Sequence, residues 1–120
     1  MSKAHEFGRL CEDLAANHLA ARGWRILSRG FRLGHKEIDI VARRGRLVAF
    51  IEVKGRSTAC FGHPLLAITP AKRREIARVA SCWIVRHGRP SDVYRFDAIA
   101  ITRTADRLVL EHVPDAWRVA

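Results

Sequence analysis

Residues 34–54, GHKEIDIVARRGRLVAFIEVK, constrain this chain more than any other stretch. Two runs, 37–43 and 46–54, are rich in Val, Ile, Ala, Leu and Phe and read as buried β-strands. Only Arg44-Gly45 separates them, the signature of a tight hairpin, so the two strands lie side by side and antiparallel. Yet Glu37, Asp39, Glu52 and Lys54 stand within or at the ends of these apolar runs. Charged groups are costly to desolvate unless they are paired or bind a metal. Either cations elsewhere in the fold neutralise these acids, or the hairpin carries a site.

Strand geometry narrows the second option. Side chains alternate between the faces of a strand, so Glu52 and Lys54 share one face and Val53 takes the other. With a turn centred on Arg44-Gly45, partners across the hairpin have numbers summing to about 89–91, which sets Asp39 near Phe50, Ile51 or Glu52. Cross-strand neighbours lie about 5–8 Å apart at Cβ, close enough for two carboxylates to share one ion. Whether they share a face depends on register to a single residue. Mg²⁺ takes oxygen ligands and keeps several waters, so two carboxylates and a main-chain carbonyl suffice to hold it, and Mn²⁺ is an alternative. An ammonium beside them can orient an attacking water or stabilise charge developing on a phosphodiester. For Glu52 and Lys54 the competing account is a salt bridge or a solvated strand edge.

The remaining chain supplies a frame for that hairpin. Over 3–22 the residues Phe7, Leu10, Cys11, Leu14, His18 and Ala21 recur at helical spacing, with Gly23 as the stop. A narrower stripe, Gly8, Glu12, Ala15 and Leu19, runs along another side and is small enough for close approach to a neighbouring layer. Residues 24–31 read as a strand and 55–64 as a loop. Thr69-Pro70 opens a second helix, with Thr as N-cap and Pro in the first turn. Ile76, Val79, Ala80, Trp83 and Ile84 form its buried stripe, with Arg74 and Arg78 opposite and Lys72 in phase with the stripe. Gly88-Arg89-Pro90 ends it, and 93–102 and 108–113 are the last strands. The order α-β-β-β-α-β-β predicts a single α/β domain over 1–120, three-layer-like (α-β-α) with a mixed sheet.

Twenty-two Lys and Arg against 12 Asp and Glu give a net charge of +10, which points to a polyanionic partner, nucleic acid before an anionic membrane. The alternative is an arginine-rich composition that serves solubility alone. Cys11, Cys60 and Cys82 are far apart and form no C-x-x-C pair, so neither a disulfide framework nor a zinc site is expected, and a reducing cytoplasm is. With no signal-peptide core and no apolar run near 18 residues, the chain is expected neither to enter nor to cross a membrane.

The pattern D-x(12)-E-x-K, with a Glu on an earlier helix, resembles the PD-(D/E)xK nuclease motif of the restriction-endonuclease-like fold. More specifically, Gly8-x-x-x-Glu12, Trp24-Arg25-Ile26-Leu27, Gly34-x-x-Glu37-Ile38-Asp39, Phe50-Ile51-Glu52-Val53-Lys54-x-Arg56, Phe61-Gly62-x-Pro64, Lys72 and Arg95-Phe96-Asp97 resemble the YraN family. Those small bacterial proteins are distantly similar to archaeal Holliday junction resolvases. The resemblance runs in order from Gly8 to about Trp117. It implies a restriction-endonuclease-like core, Asp39 and Glu52 as metal ligands, Lys54 as the catalytic lysine and Glu12 as the helix carboxylate completing the site. Resolvases similar to this fold act as dimers because they make paired cuts, which extends the expectation to a homodimer. Lys36 stands where the family usually has Gly, which removes backbone freedom from the turn before Asp39, and Cys11 replaces a small residue before Glu12.

Other charged residues carry weaker expectations. Glu37, two residues before Asp39, is either solvated or a supporting acid behind the ligands. Arg56, Lys72 and the tip arginines Arg43, Arg44 and Arg46 are candidates for phosphate contacts, which position DNA without reading its sequence; ordinary surface roles compete for each. His35 and His63 flank the site in sequence, His18 reads as a core histidine, and Asp97 reads as a structural anchor for a helix end or an arginine. Together these features lead to a Mg²⁺-dependent endonuclease, or a nuclease-like protein, acting on structured or branched DNA, with a non-catalytic nucleic-acid-binding module as the alternative.

Overall fold

The structure is a computed structural model that describes residues 2–57 and 62–119. The middle of the expected 55–64 loop, with Cys60 and Phe61, lies outside the described residues. Helix α1 (Lys3–Ala21) is followed by strands β1 (Arg25–Leu33), β2 (Lys36–Arg44) and β3 (Leu47–Ser57), a short 3₁₀ turn (Pro64–Ala67), helix α2 (Pro70–His87), and strands β4 (Val93–Arg103) and β5 (Leu108–Trp117). The five strands form one sheet in the order β1-β2-β3-β4-β5. Only β3 and β4 are parallel; every other neighbour pair is antiparallel. This is the mixed-sheet α/β architecture expected, and it accords with a restriction-endonuclease-like fold.

One helix covers each face. Cys11, Ala15, Ala16 and Leu19 of α1 pack with Ile40, Ala42, Ala49, Ile51, Ile99 and Ile101. Ile76, Val79, Ala80 and Trp83 of α2 pack on the other face with Val41, Val48, Phe50 and Ala98. Along β3 the alternation is regular: Val48 and Phe50 face α2, Ala49 and Ile51 face α1. By the same alternation Glu52 and Lys54 project toward α2's side, with Val53 on α1's side.

Helix α2 begins as its sequence dictates, with the Thr69 hydroxyl accepting from the Lys72 N–H at 3.2 Å and Pro70 in the first turn. Helix α1 departs from its expected orientation. Its buried line is Cys11, Ala15, Ala16 and Leu19, whereas Leu10 is 42% exposed and Ala21 is exposed. The helix is rotated toward its stripe of small residues because it crosses β3 at very short range. A Cβ added to Gly55 would sit 2.5 Å from Cys11 Sγ and 2.8 Å from the Phe7 ring. Gly55→Ala should therefore destabilise the fold by about 1–3 kcal/mol, read from the urea midpoint at unchanged slope.

The β2–β3 hairpin turns one residue later than the sequence suggests. Gly45 and Arg46 form the loop, Gly45 takes φ +63, and Arg44 pairs with Leu47. The partner numbers thus follow the Ile40↔Ile51 register, at the upper end of the expected range. Strand β3 also runs further than expected, through Gly55, Arg56 and Ser57, because all of these pair with β4 (Ser57↔Arg103). Strand β5 extends past 113 to Trp117 and tolerates Pro114 as an edge strand can.

Candidate active site

The site forms where β2 leaves β3. Their ladder ends at Ile40↔Ile51. At the same point the alternation of β2 breaks: Ile38 and Val41 pack toward α2, while Ile40 and Ala42 pack toward α1. Asp39 lies at the break, and its carboxylate replaces the missing backbone partner. Asp39 Oδ2 accepts a hydrogen bond from the Val53 N–H at 2.8 Å. That bond holds Asp39 beside Glu52, the juxtaposition that register alone left open.

Glu52 is 5% exposed, and its Oε2 is buried with no hydrogen-bond partner. Burial first, and then the Asp39 carboxylate beside it, push its carboxyl from the ordinary 4.5 up to about 8. Lys72 and Lys54 act in the opposite direction without cancelling those effects. Lys72, in phase with the apolar stripe of α2, is near enough to Glu52 for its charge to act on that carboxyl.

A cavity of about 330 Å³ gathers Glu12, Asp39, Glu52 and Lys54, the four residues read as catalytic, with Val53 and with His5, Gly8 and Arg9 from the first half of α1. Glu12 is steered there by Arg29 on β1, whose guanidinium binds Glu12 Oε1 at 3.0 Å and Asp13 Oδ1 at 2.6 Å. Arg29 carried no signal in the sequence, because its partners are 16 and 17 residues away and meet it only in the folded chain. The Val53 amide was likewise invisible, being backbone.

Among the described residues, no group of three or more His, Cys, Asp or Glu stands close enough to hold a metal ion. What converges is the pair Asp39 and Glu52, with one buried carboxylate oxygen lacking any partner. A hard divalent cation that retains several waters needs no more than such a pair, so the donor set fits Mg²⁺ or Mn²⁺.

The other candidates fall elsewhere. Glu37 pairs with Arg32 at 3.2 Å, its cross-strand partner on β1, outside the cavity. Arg43 points its guanidinium at Asp92, with contacts of 2.6 and 3.0 Å, and is nearly buried. Arg44 lies over the Trp24 ring at 4.5 Å, and Arg46 is exposed at the tip, roughly 20 Å along the chain from Glu52. Arg56 donates to the Gly62 carbonyl and so bridges the two ends of the 58–61 segment. His63 caps the 3₁₀ turn and meets Glu111 at 3.0 Å, His35 is exposed in the β1–β2 turn, and half-buried His18 stacks edge-on with His112. Asp97 is the arginine anchor expected of it, bonded to Arg95, His112 and the Asp115 N–H.

Among the described residues no helix is long and apolar enough to cross a membrane. The sequence profile described as "Uncharacterised protein family UPF0102" matches residues 11–101. A UPF0102 protein of Geobacter sulfurreducens is 46% identical over 110 residues, which cover 91% of this chain and 86% of that one. One from Chlorobium phaeobacteroides is 43% identical over 119 residues, covering 94% of each chain. One from Leifsonia xyli is 42% identical over 101 residues, covering 84% and 86%. Because the matched span includes Glu12, Asp39, Glu52 and Lys54 and the relatives align along nearly their whole length, the chain belongs to the YraN-like UPF0102 family.

Proposed function

We propose that this protein is a divalent-metal-dependent endonuclease that hydrolyses phosphodiesters in structured or branched DNA in the cytoplasm. The observation that carries the reading is Glu52: a buried carboxylate with an unpartnered oxygen beside a second carboxylate, in a chain whose net charge is +10. A buried acid pair of this kind, only partly offset by Lys72 and Lys54, is unfavourable for stability and fits a cation. Asp39 and Glu52 would hold Mg²⁺ or Mn²⁺, which when bound supplies Lewis-acid polarisation of a phosphoryl oxygen. Lys54, on the face shared with Glu52, orients the attacking water and offers positive charge to the oxygens of the transition state. The water oxygen bonds to phosphorus as a bridging P–O bond breaks; the water gives up a proton to solvent and the leaving oxygen takes one up, leaving a phosphate monoester and a free hydroxyl. Lys72 adds charge from α2, Glu12 lines the cavity from α1, and Arg46 at the exposed tip can contact a phosphate further along the duplex. Cutting both strands of a branch would take two copies of the chain, a homodimer.

A non-catalytic DNA-binding module is the second reading, favoured by the lack of a three-acid cluster among the described residues. The deciding experiment incubates pure protein with branched, single-stranded and duplex DNA in Mg²⁺ or Mn²⁺, beside Glu52→Gln and Lys54→Ala. Cleavage of branched DNA that disappears in both variants is the expected result. Cleavage surviving both rules out this site. No cleavage, with binding that weakens steeply as salt rises, selects the binding module.

A further inference from the structure

A second cavity, of about 380 Å³, lies at the far end of α2 from the acidic pair. Strand β1 has a bulge between Ile26 and Ser28, so two consecutive residues, Leu27 and Ser28, line it instead of alternating away. Phe31 forms one wall, with its ring centroid 6.2 Å from that of the exposed His87, which in turn is 5.5 Å from buried Trp83. Arg43 also lines the cavity. Its terminal nitrogens bind Asp92, while its Nε is buried without a partner. Arg89 is exposed at the rim, and Arg86 lies over Phe31 at 6.0 Å. Among the described residues no acid lines this cavity; Asp92 lies behind it, bound by Arg43 and accepting from the Arg89 N–H at 2.8 Å.

Edge-to-face aromatic rings, a hydroxyl, the exposed Arg89 guanidinium with Arg86 nearby, and an Arg43 already paired with Asp92 select a ligand that is planar at one end and anionic at the other. We propose that the cavity is a nucleotide-recognition site: it takes one nucleoside monophosphate unit, its base against Phe31 and His87 and its phosphate toward Arg89 and Arg86. The unit can be a free nucleotide or an unpaired nucleotide of a DNA strand. The strand form rests on the nucleic-acid reading above and would explain selection of branched over fully paired DNA. Helix α2, about 27 Å long, links the two sites, and Arg74 and Arg78 are exposed along it.

The test uses intact protein carrying Glu52→Gln, without divalent metal, so that binding is read without cleavage. Probes are labelled (dT)8, a duplex with one unpaired thymidine, the same duplex fully paired, and thymidine monophosphate as competitor. Phe31→Ala and His87→Ala should each weaken binding of (dT)8 and of the unpaired-base duplex about 5- to 100-fold, leaving the fully paired duplex within twofold. Competition by the monophosphate identifies a free nucleotide as the ligand; its failure, with the variant effects intact, identifies the strand. Phe31 packs against the core, so circular dichroism checks that variant, and His87→Ala, an exposed position, serves if it misfolds. The proposal is overturned if neither (dT)8 nor the monophosphate binds, if His87→Ala leaves both affinities unchanged, or if the paired duplex weakens equally. Pocket-dependent binding without cleavage by the unmutated protein would remove the nuclease reading and leave this one standing; cleavage with pocket-independent binding would do the reverse.

Discussion

Asp97→Ala should lower stability at neutral pH by about 3–5 kcal/mol and the melting temperature by roughly 10–25 °C. Asp97 is 0% exposed, and its carboxylate accepts from Arg95, His112 and the Asp115 N–H. Arg95 binds it at 2.8 and 3.1 Å, His112 at 2.8 Å, and the Asp115 N–H at 2.9 Å. The last contact holds a distortion in place. Strand β5 slips between Phe96↔Trp117 and Ala98↔Val113, and Asp115 takes φ +50, a backbone state that is strained for a non-glycine residue. Removing the carboxylate leaves Arg95 and His112 unpaired and releases the bulge. Burial alone would raise the Asp97 carboxyl; the bonds from His112, Arg95 and Asp115 more than offset it, and the carboxyl sits below its usual value. A depressed value contributes stability above the unfolded carboxylate range and loses it as pH falls through the folded one. Urea unfolding of the two proteins should therefore differ widely at pH 7 and converge toward pH 2. A constant gap across that range would show that Asp97 acts by packing and not by charge.

Glu52→Gln should do the opposite and stabilise the metal-free protein. With its carboxyl raised from 4.5 to about 8, Glu52 favours folding in full only below about pH 4.5, and that contribution is lost as pH rises through 8. At pH 8 the substitution should gain on the order of 2 kcal/mol, after allowing for a buried amide that is itself incompletely bonded, and close to nothing at pH 5. Most substitutions of buried residues destabilise, so the sign alone is informative. Millimolar Mg²⁺ or Mn²⁺ should raise the melting temperature of the unmutated protein at pH 8 and leave Glu52→Gln unmoved. A variant less stable than its parent at every pH would show that the Glu52 carboxylate is a satisfied structural group, and the metal reading would fall with it.

Features encoded by neighbours in sequence were legible before the fold was known. Thr69-Pro70 starts α2, Gly23 follows the end of α1, and the hairpin between two apolar runs brings Asp39 and Glu52 to one place. What needed the structure depends on contacts between distant residues. The turn at Gly45-Arg46 differs from Arg44-Gly45 by one residue, and nothing local decides between them. The face of α1 is chosen by Gly55 on another element, against the helix's own apolar count, which left Leu10 in solvent. Arg43 reads as a free cation at a hairpin tip because Asp92, its partner, is 49 residues away. Asp39 escapes simple alternation because its side chain bonds to the backbone of the next strand.

Strand β3 is, in mechanical terms, a cantilever. Up to Ile51 it is clamped on both edges; beyond that β2 has left, and β4 supports it through Ser57↔Arg103. Glu52 and Lys54 sit on the projecting arm, so their stiffness is supplied chiefly by β4, whose own far side is braced by β5 through the Asp97 clamp. The last two strands contribute no side chain to the acidic cavity, yet they are the beam on which its working residues are mounted.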